Sequence, residues 1–202
     1  LKTKRVKTFA PAGQSTQMIV GADGADDGTI LSTSARLYGS YGLRRVYYSA
    51  FSPIPDSSKN LPLIKPPLMR EHRLYQADWL YRFYGFDIGE ITSTQQNGML
   101  DLDIDPKLAW ALGNRQKFPV DVNSGEREML LRVPGFGVKT VNSILSSRRF
   151  RRLRLEDLAR FGVSLKKVKA FVVADGWTPG KLTERPDLRA MFTPPPEQLS
   201  LL

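Results

Sequence analysis

The segment Val133-Pro134-Gly135-Phe136-Gly137-Val138-Lys139-Thr140 contains the residue types from which an anion site can be built without a catalytic side chain. Gly135 and Gly137 lack a Cβ, so the backbone can take unusual dihedrals and lie directly against a phosphate. Val138, Val141, Ile144 and Leu145 follow at helical spacing, which predicts a helix beginning at about Val138. The unpaired N–H groups of that helix start, and its dipole, would point at the same anion. Lys139, followed by Thr140, adds a full positive charge there. Upstream, Asn123 or Ser124 is expected to cap a first helix through Met129, Leu130 and Leu131, with Glu126 completing a capping box. Val133, Val138, Val141 and Ile144 should hold the two helices together. None of these groups can read a base, so the grip they offer on a polyanion is independent of sequence.

This helix, glycine bend and helix resembles the helix-hairpin-helix motif of DNA-binding proteins in a near-consensus form. The resemblance implies double-stranded DNA as partner and a monovalent cation at the hairpin. A weaker echo follows 27 residues on, where Lys166, Val168 and Phe171 take the places of Lys139, Val141 and Ile144. Leu158 and Phe161-Gly162-Val163-Ser164 stand for its first helix and turn. Only one glycine of the pair remains, so the second copy is expected to be the packing partner in a four-helix, pseudo-twofold unit. Its Lys166, Lys167 and Lys169 would touch the opposite strand. Between the copies lie Arg148, Arg149, Arg151, Arg152 and Arg154, with Phe150, Leu153 and Leu155 expected to face inward. These arginines would extend the phosphate track.

The charge distribution agrees with a polyanion partner. The chain has 202 residues, a net charge of +10 and a pI near 9.9. Residues 125–175 carry 12 basic and 5 acidic residues, so +7 of that excess sits in a quarter of the chain. A solvated arginine-rich helix face is the alternative source of such clustering. Apolar residues make up 41%, enough to bury a core over most of the length and to exclude wholesale disorder. No run approaches the ~18 apolar residues of a membrane span, and Leu1-Lys2-Thr3-Lys4-Arg5 has no secretory character. Cysteine is absent, which excludes disulfides, a thiolate nucleophile and thiolate metal ligands. A soluble cytoplasmic protein without a membrane partner is expected, and the start at Leu1 suggests a piece of a longer chain.

The elements that must position the hairpin can be read outward from it. Gln17 to Ala22 is expected to form a buried strand, Asp26-Asp27-Gly28 to start a helix through Leu31, Ala35 and Tyr38, and Arg45 to Phe51 to form a second strand. Together they make one βαβ unit. Five prolines in residues 53–67 give an extended connector. A helix is expected from about Met69 to Tyr84, with Tyr75, Trp79 and Phe83 on a core face, stopped by Gly85. Asp105, Pro106 and Gly113 bracket another. The fold class expected is mixed α/β followed by all-α. The expected domains are 1–60 for the βαβ unit, 61–122 for a helical connector, 123–175 for the hairpin unit and 176–202 for a tail. Trp177-Thr178-Pro179-Gly180 is expected to close the ordered part.

Several segments together resemble one family: Pro11 to Gly21, Arg45 to Ala50, the run Arg70-Glu71-His72-Arg73-Leu74-Tyr75-Gln76-Ala77-Asp78-Trp79-Leu80, Asp105-Pro106-Lys107 and Trp110-Ala111-Leu112. With the hairpin, they are similar to the C-terminal half of the radical S-adenosylmethionine DNA modification/repair proteins. The resemblance implies that the βαβ unit is a remnant of a partial (β/α)6 barrel. It further implies a parent that binds a [4Fe–4S] cluster and S-adenosylmethionine through an N-terminal cysteine loop, and a uracil-DNA-glycosylase-like partner. Barrel sites form at the C-terminal ends of strands, which makes Ala22, Ser49 and Ser52 the candidate cofactor neighbours.

Other residues give weaker signals. His72, the only histidine, is expected to be structural, its ring bonded to a carboxylate. Asp101, Asp103 and Asp105 alternate but lack the rest of a calcium loop, so solvated or capping roles are expected. Gln198, Leu199, Leu201 and Leu202, after the Pro194-Pro195-Pro196 spacer, look like the short bacterial sliding-clamp-binding peptide. Two other classes stay open: a stand-alone glycosylase or lyase on the hairpin scaffold, with Asp157 or Asp175 placed after the hairpin, and a helical hairpin used for protein contact.

Overall fold

Asp26 opens the first helix by accepting the Thr29 N–H at 2.6 Å, and Gly42, at φ 62°, closes it. In the computed structural model, which describes residues 10–55, 58–93 and 97–193, this helix α1 (Asp27–Tyr41) joins strands β1 (Ser15–Val20) and β2 (Arg45–Ala50). The strands pair in parallel, with Ile19 opposite Ser49 and Val20 opposite Ala50. Helix α2 (Leu68–Tyr84) packs on the same sheet face as α1. Tyr48, buried on that face, donates to Ser34 of α1 at 2.9 Å and meets Tyr75 of α2 edge-on at 5.2 Å. The opposite face, with Gln17, Ile19, Arg45 and Tyr47, is exposed.

The Arg70-Glu71-His72-Arg73 run is a set of stitches. Arg70 donates to the buried carboxylate of Asp27 at 2.7 Å, and Glu71 accepts the Ala50 N–H at 2.8 Å. Arg73 donates to the Asp101 and Leu102 carbonyls. Farther along α2, Asp78 accepts from Tyr38 at 2.7 Å and is paired with Arg82 at 3.5 Å. Burial raises the Asp78 carboxyl above its ordinary range, against the pull of the Tyr38 and Arg82 donors. His72 is exposed and has no hydrogen bond among the described residues, so the expected carboxylate partner is not found.

These charged pairs fill the buried face of α2, and they reverse one expectation. Arg70, Arg73, Leu74, Ala77, Asp78 and Leu80 are its buried residues. The Trp79 and Phe83 side of the aromatic stripe therefore lies on the outer face, 51% and 47% exposed. Paired arginines and aspartate have taken the face that aromatic spacing alone would award to core.

The chain continues through α3 (Ile88–Thr92) and α4 (Pro106–Gly113), the latter capped by Asp105, which accepts the Leu108 N–H at 2.9 Å. After β3 (Val120–Asp121) come α5 (Arg127–Arg132), α6 (Val138–Ser147), α7 (Leu155–Arg160), α8 (Leu165–Val168) and β4 (Val172–Val173). The strands β3 and β4 pair in parallel and tie the segment before the hairpin to its far end. A run of rings, Phe86, Trp110, Phe118, Phe171 and Phe192, joins both halves with successive centroids 5.3–6.2 Å apart. The core is therefore continuous across residues 122–123, and β3 belongs with the hairpin unit.

Order also continues past Gly180. A 3-10 turn spans Gly180–Glu184, Thr183 donates to the Ala170 carbonyl, and Leu188 is fully buried. Arg189 pairs with Asp101 and Asp103. No helix among the described residues is long and apolar enough to cross a membrane.

Candidate anion-binding site

Helices α5 and α6 meet in a bend of five residues. Phe136 N–H donates to the Val133 carbonyl at 3.1 Å, which folds the chain back on itself, and the Phe136 ring is buried as the bend's anchor. Val133, Val141 and Ile144 are fully buried between the helices, and Val138 is half-buried beside them. Gly135 sits at φ 86°, a left-handed conformation that favours glycine. A Cβ there would also stand 3.1 Å from Val168 Cγ1. The first copy's bend is thus pressed against α8 of the second, where Gly162 repeats the left-handed turn at φ 80°.

Gly137 differs. Its φ of −97° is open to any residue, and the nearest atom to an added Cβ is the Tyr84 hydroxyl at 3.7 Å. What the missing side chain leaves is the gap between the bend and Tyr84, next to the start of α6. The first helical bond there is Val141 N–H to the Gly137 carbonyl at 2.9 Å. The N–H groups of Gly137, Val138, Lys139 and Thr140 have no acceptor among the described residues, and no side chain caps this helix. Four donors at a positive dipole end make a natural place for an anion. Exposed Lys139 stands at that end, and exposed Lys166 and Lys167 line a cleft of about 350 Å³ with Pro134, Gly135 and Ser164. Folding thus sets Lys166 and Lys167 beside Gly135, in a cleft that Asp103 and Asp105 also line, while Gly137, Val138, Lys139 and Thr140 follow one another at the start of α6.

Sequence reasoning missed Lys107. Its Nζ donates to the Phe136 carbonyl at 2.5 Å and lies 4.7 Å from the centre of the Tyr84 ring, and the residue is buried. The side chain of Lys107 thus meets the Phe136 carbonyl of the bend. Burial pushes the ammonium down to about 7, Asp105 opposing and Arg132 reinforcing the fall. Between about 7 and the ordinary 10.5, the unfolded chain binds a proton that the folded chain has released, so this group makes stability rise with pH. Lys107→Met removes that rise: across pH 7 to 10, the melting temperature of wild type should climb by a few degrees relative to the variant. Parallel melting curves at each pH would contradict the assignment.

The arginine segment lies at the other end of α6, ten residues or about 15 Å from the hairpin. Its members are not equally available. Arg148 turns inward and donates to the Gly125 and Val122 carbonyls at 2.6 and 3.3 Å. Arg151 holds Asp157 with two hydrogen bonds of 2.7 Å, and Arg152 and Arg154 flank Asp175 at 3.7 and 3.2 Å. Arg149 is exposed, with no partner among the described residues. Phe150 is 88% exposed, contrary to the expected inward alternation, whereas Leu153 is fully buried.

Asn123 does not cap α5 either. Its side chain accepts the Leu153 N–H at 2.7 Å and donates to the Leu153 carbonyl at 3.1 Å, clamping the loop after α6, and α5 starts only at Arg127. Asp157 is a structural hub: hydrogen bonds from Arg151, then the Arg154 N–H, with the Arg160 charge adding to them, hold its carboxyl far below the usual range.

Ala22 and Ser52 follow the C-terminal ends of β1 and β2, Ser49 lies next to last in β2, and Pro66 closes over Gly21, 2.8 Å from where a Cβ would be. Gln198, Leu199, Leu201 and Leu202 lie outside the described residues. No group of three or more His, Asp or Glu among the described residues could hold a metal ion. A chain without cysteine does not fit an iron–sulfur cluster. No family model matches the chain, and neither does any curated protein or solved structure.

Proposed function

We propose that this chain is a sequence-independent DNA-binding module built on a helix-hairpin-helix, and that it forms the C-terminal part of a radical S-adenosylmethionine DNA modification or repair protein. The observation that carries the binding reading is the row of unpaired N–H groups from Gly137 to Thr140, with Lys139 beside it and Lys166 and Lys167 across Gly135. Each of these groups suits a phosphate oxygen and none suits one base over another. The rest of the +7 charge of residues 125–175 supplies a longer-range field for the duplex.

The placement in a larger enzyme rests on the sequence resemblance, and the two-stranded parallel sheet with one bare face is compatible with it. In that reading the cluster, S-adenosylmethionine and the chemistry belong to other parts of the parent. This chain supplies the grip on DNA, with a uracil-DNA-glycosylase-like protein and the sliding clamp as further partners. The glycosylase or lyase reading loses its candidates, because Asp157 and Asp175 are both engaged by arginines.

The test is duplex affinity as a function of salt. Neutralising about four phosphates predicts a log–log slope of about −3.6, the same for two unrelated duplex sequences. Binding that is absent, or indifferent to salt, overturns the proposal in favour of a protein-contact hairpin.

A further inference from the structure

Beside the hairpin, and continuous with it, is a cleft of about 500 Å³ between α2, the start of α4 and the bend. Its walls are aromatic: Tyr75, Trp79 and Tyr84 all contribute to it, and Phe136 and Gly137 of the bend complete it. Trp79 is half exposed and tilted against Phe83, with ring centroids 5.1 Å apart, so a large ring stands on the outer face of the helix rather than in the core. The polar edges are few. The Tyr84 hydroxyl has no hydrogen bond among the described residues, Gln76 uses only its carbonyl oxygen on Arg73, and Asp105 uses one oxygen on Leu108 N–H. Lys107 lies at the floor, its Nζ on the Phe136 carbonyl.

We infer that this cleft takes a single nucleobase drawn out of the duplex stack, while the adjoining phosphate rests on the start of α6. The inference rests on the DNA-binding reading and goes beyond it by naming a second, base-sized contact. Several features favour a base over another planar ligand. The cleft is lined by Gly135, Phe136 and Gly137, and Gly137 also supplies the first N–H of the phosphate grip, so a nucleotide held there by its phosphate presents its base to the cleft mouth. Aromatic faces accept any base by stacking, and unpaired donors and acceptors at the rim suit a base edge freed from its partner. Gly137 also keeps the mouth open, since a side chain there would approach the Tyr84 hydroxyl. The cleft lies within the size range of small-molecule sites.

The experiment compares the full chain on two labelled duplexes of one sequence, one fully paired and one carrying a single bulged 2-aminopurine. The bulged duplex should bind about tenfold tighter, and 2-aminopurine fluorescence should fall on binding as the base stacks. Trp79→Ala should abolish both the preference and the quenching, and Trp79→Phe should retain part of each. Trp79 is exposed, and a melting curve checks that both variants remain folded. Equal affinity for the two duplexes, or a preference that survives Trp79→Ala, overturns the base site while leaving the phosphate grip standing. No salt-dependent binding of the paired duplex by wild type overturns the grip, and the base site with it.

Discussion

Replacing Gly137 and Lys139 together by alanine should weaken paired-duplex affinity about a hundredfold while leaving the fold intact. Two losses combine. Lys139→Ala removes one phosphate-neutralising charge, so the salt slope should drop from about −3.6 to about −2.7. Gly137→Ala adds a methyl group at the residue that precedes α6, 3.7 Å from the Tyr84 hydroxyl, and should crowd a phosphate resting there; a charge-assisted hydrogen bond lost in this way is worth about 1.5–3 kcal/mol. The fold is spared for identifiable reasons. Gly137 has φ −97°, which alanine adopts freely, the nearest atom to the new Cβ is 3.7 Å away, and Lys139 is exposed. Fluorescence anisotropy across a salt series, with melting curves alongside, measures both parts. A double variant that binds like wild type would mean that another surface grips the duplex.

The largest effect on stability should come from Asp27. Its carboxylate is fully buried and accepts from Arg70 at 2.7 Å and from the Leu100 N–H at 2.9 Å. Arg70 is itself only 8% exposed and donates also to the Ala25 carbonyl. Asp27→Ala would leave a buried guanidinium without its counter-charge and a buried N–H without an acceptor. Breaking such a pair costs about 3–5 kcal/mol, or on the order of 10 °C in melting temperature for a chain of this size. Combining Asp27→Leu with Arg70→Met should cost less than Asp27→Ala alone, because no charge is then stranded. Urea unfolding of wild type and the two variants decides it. A loss below about 1 kcal/mol for Asp27→Ala would show that water reaches Arg70 and replaces the carboxylate.

That pair also explains what the sequence could and could not reveal. Punctuation was legible: Asp26, Gly85 and Asp105-Pro106 end or begin helices where local hydrogen bonding and backbone freedom demand it. The bend at Pro134–Gly137 was legible for the same reason, since its conformation is decided within a few residues. The face of α2 was not, because its buried side is lined by Arg70, Arg73 and Asp78, whose partners lie 28 to 43 residues away in Asp27, Tyr38 and the 101–102 backbone. Spacing alone therefore awarded the core to Trp79 and Phe83. Asn123 carried a capping signature, yet its side chain is spent on Leu153, thirty residues on. The two-residue strands β3 and β4 are too short to show any alternation. Lys107 went unnoticed because nothing in its neighbours announces burial; only the folded hairpin brings the Phe136 carbonyl to it.

The most direct test of the central claim is an amide-resolved NMR titration of the chain with a short paired duplex. The shifts should concentrate on the backbone N–H groups of Gly137, Val138, Lys139 and Thr140, with smaller changes at Lys166 and Lys167, and should fade as salt is raised. Amides 137–140 that stay unmoved while the duplex binds elsewhere would contradict the account.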